Sequence, residues 1–207
     1  MAILIDPVKE LVDRDLSIIE QLDLKLKYVA NTHVHADHIT GSGDLKTRLK
    51  IEDVQSIISE SSGAKADILV NEGDVIKCGN NVKLHVLNTP GHTNGCISYY
   101  YPDGPFVFTG DALLIRGCGR TDFQQGDSGK LYDSIHTKLF QLSNDCLVYP
   151  AHDYKGNLVS TIDEEKKFNP RLTKTREEFI DLMDNLKLDL PKMIDIAVPR
   201  NLICDIP

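Results

Sequence analysis

The stretch Thr32-His33-Val34-His35-Ala36-Asp37-His38 places four potential metal ligands, His33, His35, Asp37 and His38, within six residues. Imidazole nitrogens and carboxylate oxygens at this density suit zinc or non-haem iron. Three further candidates stand far along the chain. They are His92 in Thr89-Pro90-Gly91-His92-Thr93-Asn94-Gly95, Asp111 after Thr109-Gly110, and His152 in Pro150-Ala151-His152-Asp153-Tyr154. His33, His92, Asp111 and His152 each come just after a run that reads as a strand. Strand ends on one edge of a layered sheet converge on a single pocket, so these four are expected in one site. His85, outward on a strand, and His136, on a helix, read as ordinary residues.

The elements that must carry these residues follow from periodicity. Residues 26–31 read as a strand that ends at the histidine cluster. Val82, Leu84 and Val86 alternate ahead of the His92 loop, residues 106–109 run into Gly110-Asp111, and residues 146–149 deliver His152. Ile3-Leu4-Ile5, closed by Asp6-Pro7, reads as a buried strand. Residues 54–58, 68–70, 75–78 and 97–101 complete the strands. Asp13 is expected to cap a helix carrying Leu16, Ile19 and Leu22, and a second helix is expected over 44–50. Leu131, Ile135 and Leu139 mark a third. Thr161-x-x-Glu164 and Thr175-x-x-Glu178 resemble capping boxes, the latter ahead of an apolar stripe of Phe179, Leu182, Met183 and Leu186. No shift in composition marks a boundary, so residues 1–207 read as one α/β domain.

Composition narrows the partners. A net charge of −8 disfavours nucleic acid, whose phosphates are met by Lys and Arg. A hydrophobic share of 41% is enough for a packed core. The five cysteines are odd in number and include no C-x-x-C pair, which points to a reducing compartment rather than a disulfide framework. No apolar run approaches the ~20 residues needed to span a bilayer. The N-terminus lacks the basic region of a signal or transit peptide.

Thr32-His33-x-His35-x-Asp37-His38, with Pro90-Gly91-His92-Thr93, Thr109-Gly110-Asp111 and Pro150-Ala151-His152, resembles the metallo-β-lactamase superfamily. That resemblance implies an αββα sandwich, two sheets packed face to face with helices outside and the metal site at one edge. Residues 114–124, Leu-Ile-Arg-Gly-Cys-Gly-Arg-Thr-Asp-Phe-Gln, then Tyr149 to Tyr154, then Asn169-Pro170-Arg171-Leu172, resemble the persulfide dioxygenases more narrowly. The likeness extends to Ile3-Leu4-Ile5-Asp6-Pro7 and Ala197-Val198-Pro199, nearly end to end. Family members usually carry opening strands before the segment matching Ile3. Those are expected to be lacking here, leaving an exposed sheet edge.

The persulfide dioxygenase resemblance implies one ferrous iron per chain, Fe(2+), held by His33, His92 and Asp111. This two-His-one-carboxylate set covers one face of the metal and leaves the other open. It implies oxidation of glutathione persulfide with O2 and water to sulfite and glutathione. His35, Asp37, His38 and His152 would then orient ligands and water by hydrogen bonds. Arg120, Tyr154 and Arg171 are candidates for binding glutathione, whose two carboxylates suit the guanidinium fork. Cys118 reads either as a small buried residue or as a thiol exposed to the persulfide. The resemblance further implies a homodimer in the mitochondrial matrix, with a cytoplasmic address as the alternative. The same ligand inventory also fits a dinuclear zinc hydrolase resembling glyoxalase II, with His33, His35 and His92 on one ion, Asp37, His38 and His152 on the other, and Asp111 bridging. A non-catalytic module binding glutathione or metal is the third reading.

Overall fold

A computed structural model describes residues 1–49 and 54–204. Its first sheet is all parallel, in the order β1 (Ala2–Ile5), β2 (Leu26–Ala30), β3 (Gln55–Ser59), β4 (Ile68–Val70). Parallel neighbours need a crossover. Helix α1 (Val12–Gln21) supplies the one between β1 and β2, and α2 (Ser42–Arg48) follows β2. The turn Asn71-Glu72-Gly73-Asp74 then sends the chain into a second sheet of β5 (Val75–Cys78), β6 (Val82–Asn88), β7 (Ile97–Tyr101), β8 (Phe106–Gly110), β9 (Leu147–Pro150) and β10 (Ser160–Thr161). These lie in the order β10-β9-β8-β7-β6-β5, antiparallel except for the pair β8–β9. Helices α3 (Ser128–Thr137), α4 (Ile162–Phe168), α5 (Arg176–Asp184) and α6 (Ile194–Asn201) complete the chain.

Side-chain alternation along the strands builds three apolar layers. Between the sheets, Tyr28, Ala30 and Ile57 meet Leu84, Val86, Ile97 and Tyr99. Outside the first sheet, Leu26 and Val29 pack with Val12 and Leu45 from α1 and α2. Outside the second, Val107 and Val148 pack with Leu131 and Ile135 of α3, Ile162 of α4, and Phe179 and Met183 of α5. The result is the αββα sandwich.

Several local expectations are corrected. The strand at Ile3-Leu4-Ile5 is only half-buried, because β1 is an edge strand with no partner on its outer side among the described residues. Asp13 does not cap α1. A 3-10 turn over Lys9–Leu11 runs straight into the helix, and Asp13 sits in its first turn, paired with Arg48. The helix expected over 44–50 starts two residues earlier, and Lys50 lies outside the described residues. Thr175 and Glu178 form the full reciprocal capping box. Thr161 accepts from the Glu164 amide, but the Glu164 carboxylate turns to Arg116 instead of closing the box. Among the described residues no helix is long and apolar enough to cross a membrane.

Candidate metal centre and substrate cavity

The loops leaving β2, β6, β8 and β9 meet at one edge of the sandwich. Ligand atoms of His33, His92 and Asp111 lie within 4.8 Å of one another, and those of His35, Asp37, His38 and His152 form an adjoining group by the same measure. The four residues expected after strand ends are thus brought together, and the two groups share one pocket edge.

His33 and Asp6 set the chemistry of the first group. The Thr32 amide donates to Oδ1 of Asp6 at 2.7 Å, and the Thr32 hydroxyl to Oδ2 at 2.8 Å. His35 Nε2 reaches the same Oδ1 at 3.1 Å. Burial alone would raise the Asp6 pKa, but the charge of His35 and the bonds from His35 and Thr32 hold it below the usual carboxylate range. Asp6 is therefore ionised and only accepts. The Thr32 hydrogen is committed to it, so the Thr32 oxygen accepts from His33 Nδ1 at 2.9 Å. That fixes the tautomer of His33 with its proton on Nδ1 and a free lone pair on Nε2. Burial first, then the neighbouring histidines, push the His33 pKa well below its ordinary value, which keeps the ring neutral as a ligand requires.

His92 is locked the same way. Its Nδ1 donates to the Arg120 carbonyl at 2.6 Å, and its Nε2 faces Asp111 Oδ2 at 3.6 Å. The approach depends on Gly119, whose amide donates to Asp111 O at 2.7 Å. A Cβ at Gly119 would lie 2.3 Å from Asp111 O and 2.8 Å from His92 Cγ. Gly110, at φ 53°, turns β8 into Asp111 at a point where a Cβ would strike Thr32 Oγ1 at 2.4 Å.

The adjoining group centres on the Asp37 carboxylate. Asp37 Oδ2 lies 3.1 Å from His38 Nδ1 and 3.3 Å from His152 Nε2. Burial raises the Asp37 pKa, but the His38 hydrogen bond and the surrounding histidines outweigh it and hold the carboxyl far below the usual range. Burial lowers the His35 pKa, and Asp6, Asp37 and Asp111 together more than offset it. His35 Nδ1, His38 Nε2, Asp111 Oδ1 and His152 Nε2 are buried without hydrogen-bond partners. Buried polar atoms without partners are costly. Grouped beside the His33 and His92 Nε2 nitrogens, whose lone pairs are free, these four fit a cation with associated water, so the residues present could hold a metal.

A cavity of about 550 Å³ opens from this centre, bounded by Asp37, His92, Asp111 and His152 on the metal side. The far wall carries the residues expected to bind substrate. Tyr154 is 83% exposed and stacks on His152, ring centroids 5.9 Å apart. Arg171 lines the wall and donates through Nη1 to Cys118 O at 3.1 Å, and its Nε and Nη2 bond nothing among the described residues. Arg120 borders the cavity too, but its guanidinium is engaged. It binds the Asp122 carboxylate twice and the carbonyls of Leu188 and Asp189. Cys118 is 4% exposed, its Sγ 3.8 Å from Met183 Sδ, and burial pushes its thiol up to about 11. Of the two sequence readings, the small buried residue is the one that fits. Arg116, at φ 57°, is anchored by the fully buried Glu165, which also accepts from Ser160 and Asn169.

Two residues absent from the sequence expectations belong here. Asp6 organises Thr32, His33 and His35, and its only local signal was the break at Asp6-Pro7. Lys155 adds a cation to the cavity wall, with nothing in its sequence neighbourhood to single it out.

The family profile described as the metallo-beta-lactamase superfamily matches residues 2–152. The persulfide dioxygenase ETHE1 of Mus musculus is 55% identical over 205 residues, covering 99% of this chain and 80% of that protein. The hydroxyacylglutathione hydrolase of Brucella ovis is 32% identical, covering 88% of this chain and 70% of that one. The crystal structure of ETHE1 from Myxococcus xanthus superposes with a TM-score of 0.92 at 53% identity, covering 98% of this chain and 88% of that one. A sandwich shared nearly end to end, with the histidine cluster and the 114–124 loop in place, leads to one assignment: the chain belongs to the persulfide dioxygenase family of the metallo-β-lactamase superfamily.

Proposed function

We propose that this chain oxidises glutathione persulfide with dioxygen and water, giving sulfite and glutathione, and that it holds one ferrous ion on His33, His92 and Asp111. The observation that carries the reading is the pair of Nδ1 locks. Thr32 and the Arg120 carbonyl each hold a ring proton, leaving both Nε2 lone pairs beside the Asp111 carboxylate. This is a two-histidine, one-carboxylate face with the opposite side open to the cavity. When bound, ferrous iron supplies the one-electron chemistry that lets dioxygen react with a sulfur compound.

The chain's own residues bind and orient the substrate. Arg171, with free N–H groups, and Lys155 offer cations for the two glutathione carboxylates, and Tyr154 covers the mouth over His152. With the carboxylates held there, the persulfide sulfur would extend along the cavity toward Asp111. His152 presents Nε2 between Asp37 Oδ2 and Asp111 Oδ1, at 3.3 and 3.7 Å. That nitrogen makes no hydrogen bond among the described residues and is free to meet water entering the cavity. The mammalian relatives are mitochondrial proteins, which supports the same address here.

A second reading has an observation of its own. The adjoining group of His35, Asp37, His38 and His152 offers ligands for another ion, as a dinuclear zinc thioesterase needs. Protein purified anaerobically decides between them. About one iron per chain with persulfide-dependent oxygen uptake is expected, and Asp111→Ala should abolish iron retention. Two zinc ions with thioester cleavage and no oxygen uptake would overturn the proposal.

A further inference from the structure

The metal-facing loop is held from the other end of the chain. Asn201, the last residue of α6, is 2% exposed and uses its amide fully. Nδ2 donates to the carbonyls of His35 and His38, both at 2.8 Å, and Oδ1 accepts from the Thr40 amide at 2.8 Å. These bonds span 161 to 166 residues of sequence. The two carbonyls bracket Ala36 and Asp37, which form part of the cavity wall.

The helix that carries Asn201 is itself fixed against the same loop. Val198 and Leu202, one turn apart, pack against Val34 and Ile58. The Leu202 carbonyl accepts from the Lys65 amide at 2.7 Å, tying the helix end to the chain between β3 and β4. On the opposite flank Gln124 Nε2 donates to the Val34 carbonyl at 3.1 Å. Backbone bonds hold the far end of the loop, Lys9 N–H to the Ile39 carbonyl at 2.9 Å and Gly41 N–H to the Pro7 carbonyl at 2.7 Å, whereas over residues 34–38 these side chains do what a hydrogen-bonded ladder does elsewhere.

We infer that Asn201 is a positioning residue: its carboxamide fixes the backbone of residues 35–40 and thereby the placement of Asp37 and the histidines around the metal. The inference rests on the reading of His33, His92 and Asp111 as ligands. Groups that orient a metal's surroundings without binding it cost about 10- to 100-fold in metal affinity or activity when removed. That is the size of effect expected here, although Asn201 touches neither metal nor substrate.

Asn201→Asp and Asn201→Ala test it. The carboxylate keeps the acceptor for Thr40 and removes both donors to the loop, while alanine removes all three bonds. The full chain, freed of metal, is titrated anaerobically with cobalt(II), whose d–d absorption reports ligand geometry. Thermal unfolding of the metal-free protein is measured alongside. The expected result is a cobalt dissociation constant raised about 10- to 100-fold with a shifted spectrum, in variants whose metal-free form still unfolds cooperatively. Should the buried carboxylate prevent folding, the alanine variant carries the test, and Gln124→Ala provides a milder release from the other flank. Variants that are less stable without metal but bind cobalt with wild-type affinity and spectrum would reduce Asn201 to a structural residue. A wild-type chain that takes up no cobalt would instead remove the ligand reading, and the inference with it.

Discussion

Replacing Asp6 by Asn should disable His33 as a ligand without touching it. Oδ1 of Asp6 faces the Thr32 amide, a donor that cannot be reversed, and His35 Nε2. The new NH2 group must therefore take the place of Oδ2, where it donates to the Thr32 hydroxyl that formerly donated to it at 2.8 Å. The Thr32 hydrogen is then left with two choices. It can point at His33 Nδ1, which drives the His33 proton onto Nε2 and blocks metal binding. Otherwise it stays buried without an acceptor, which costs about 1–3 kcal/mol. To bind metal the variant must accept that second cost, so affinity should fall roughly 5- to 150-fold. Asn tolerates the left-handed backbone at φ 49° that Asp6 adopts, so the fold should survive. Competition with a chelator for cobalt(II) or iron(II), under anaerobic conditions, measures the change. A folded Asp6→Asn protein that binds as tightly as wild type would refute the hydrogen-bond chain and the tautomer deduced from it.

The same residue predicts a pH dependence for the metal-free protein. Asp6 has a depressed pKa, so its contribution is complete above the unfolded value of about 3.9 and is lost as pH falls through the folded value. His35 has a raised pKa, so its contribution is complete below about 6.5 and is lost as pH rises through the folded value. Denaturation curves should show the stability gap between wild type and Asp6→Asn widest between about pH 4 and 6.5; a gap that does not vary with pH contradicts the pairing. Gly119→Ala should yield protein purified with little metal, since its Cβ would lie 2.3 Å from Asp111 O and 2.8 Å from His92 Cγ; normal metal content would show that the loop yields. Arg171→Ala should lower kcat/KM for glutathione persulfide roughly 10- to 150-fold through loss of a charge-assisted contact, whereas Arg120→Ala should mainly lower the melting temperature, its fork being engaged by Asp122 and the Leu188 and Asp189 carbonyls. Cys118 should resist iodoacetamide at pH 8 in the folded protein, because burial pushes its thiol up to about 11; rapid native-state labelling would mean the cavity wall opens.

The parts of this site that are legible in the sequence are those with local signals. His33, His92, Asp111 and His152 follow strands whose periodicity is plain, so their convergence needs only the rule that strand ends share an edge. Asp6 is invisible by that route. Its partners lie 26 and 29 residues away, and the Asp-Pro step that holds it looks like a turn. Asn201 is hidden further still, on a helix with Pro199 inside it, which by local preference argues against a helix at all. Arg120 shows what local reading leaves out: a loop arginine near a pocket is a reasonable candidate for an anionic substrate, and it does border the cavity, but Asp122, two residues on, and the carbonyls of Leu188 and Asp189 engage four of its five N–H groups. Glu164 was expected to close a capping box and instead answers Arg116, a tertiary contact overriding a local motif.

The three ligands of the proposed iron do not come from one sheet. His33 follows β2 in the four-stranded sheet, and His92 and Asp111 follow β6 and β8 in the six-stranded one. A metal on those residues is a rivet through the sandwich, joining layers otherwise held by apolar contact and by a few hydrogen bonds such as Tyr99 Oη to the Asn31 carbonyl and the Ile97 amide to the Thr32 carbonyl. Any ion that binds only the folded form stabilises it by mass action, about 4 kcal/mol at a thousandfold excess over the dissociation constant. With the proposed iron as that ion, the lifetime of the folded chain would follow iron supply, and scarcity would deplete the protein as well as silence it, because the empty form would be the more readily unfolded.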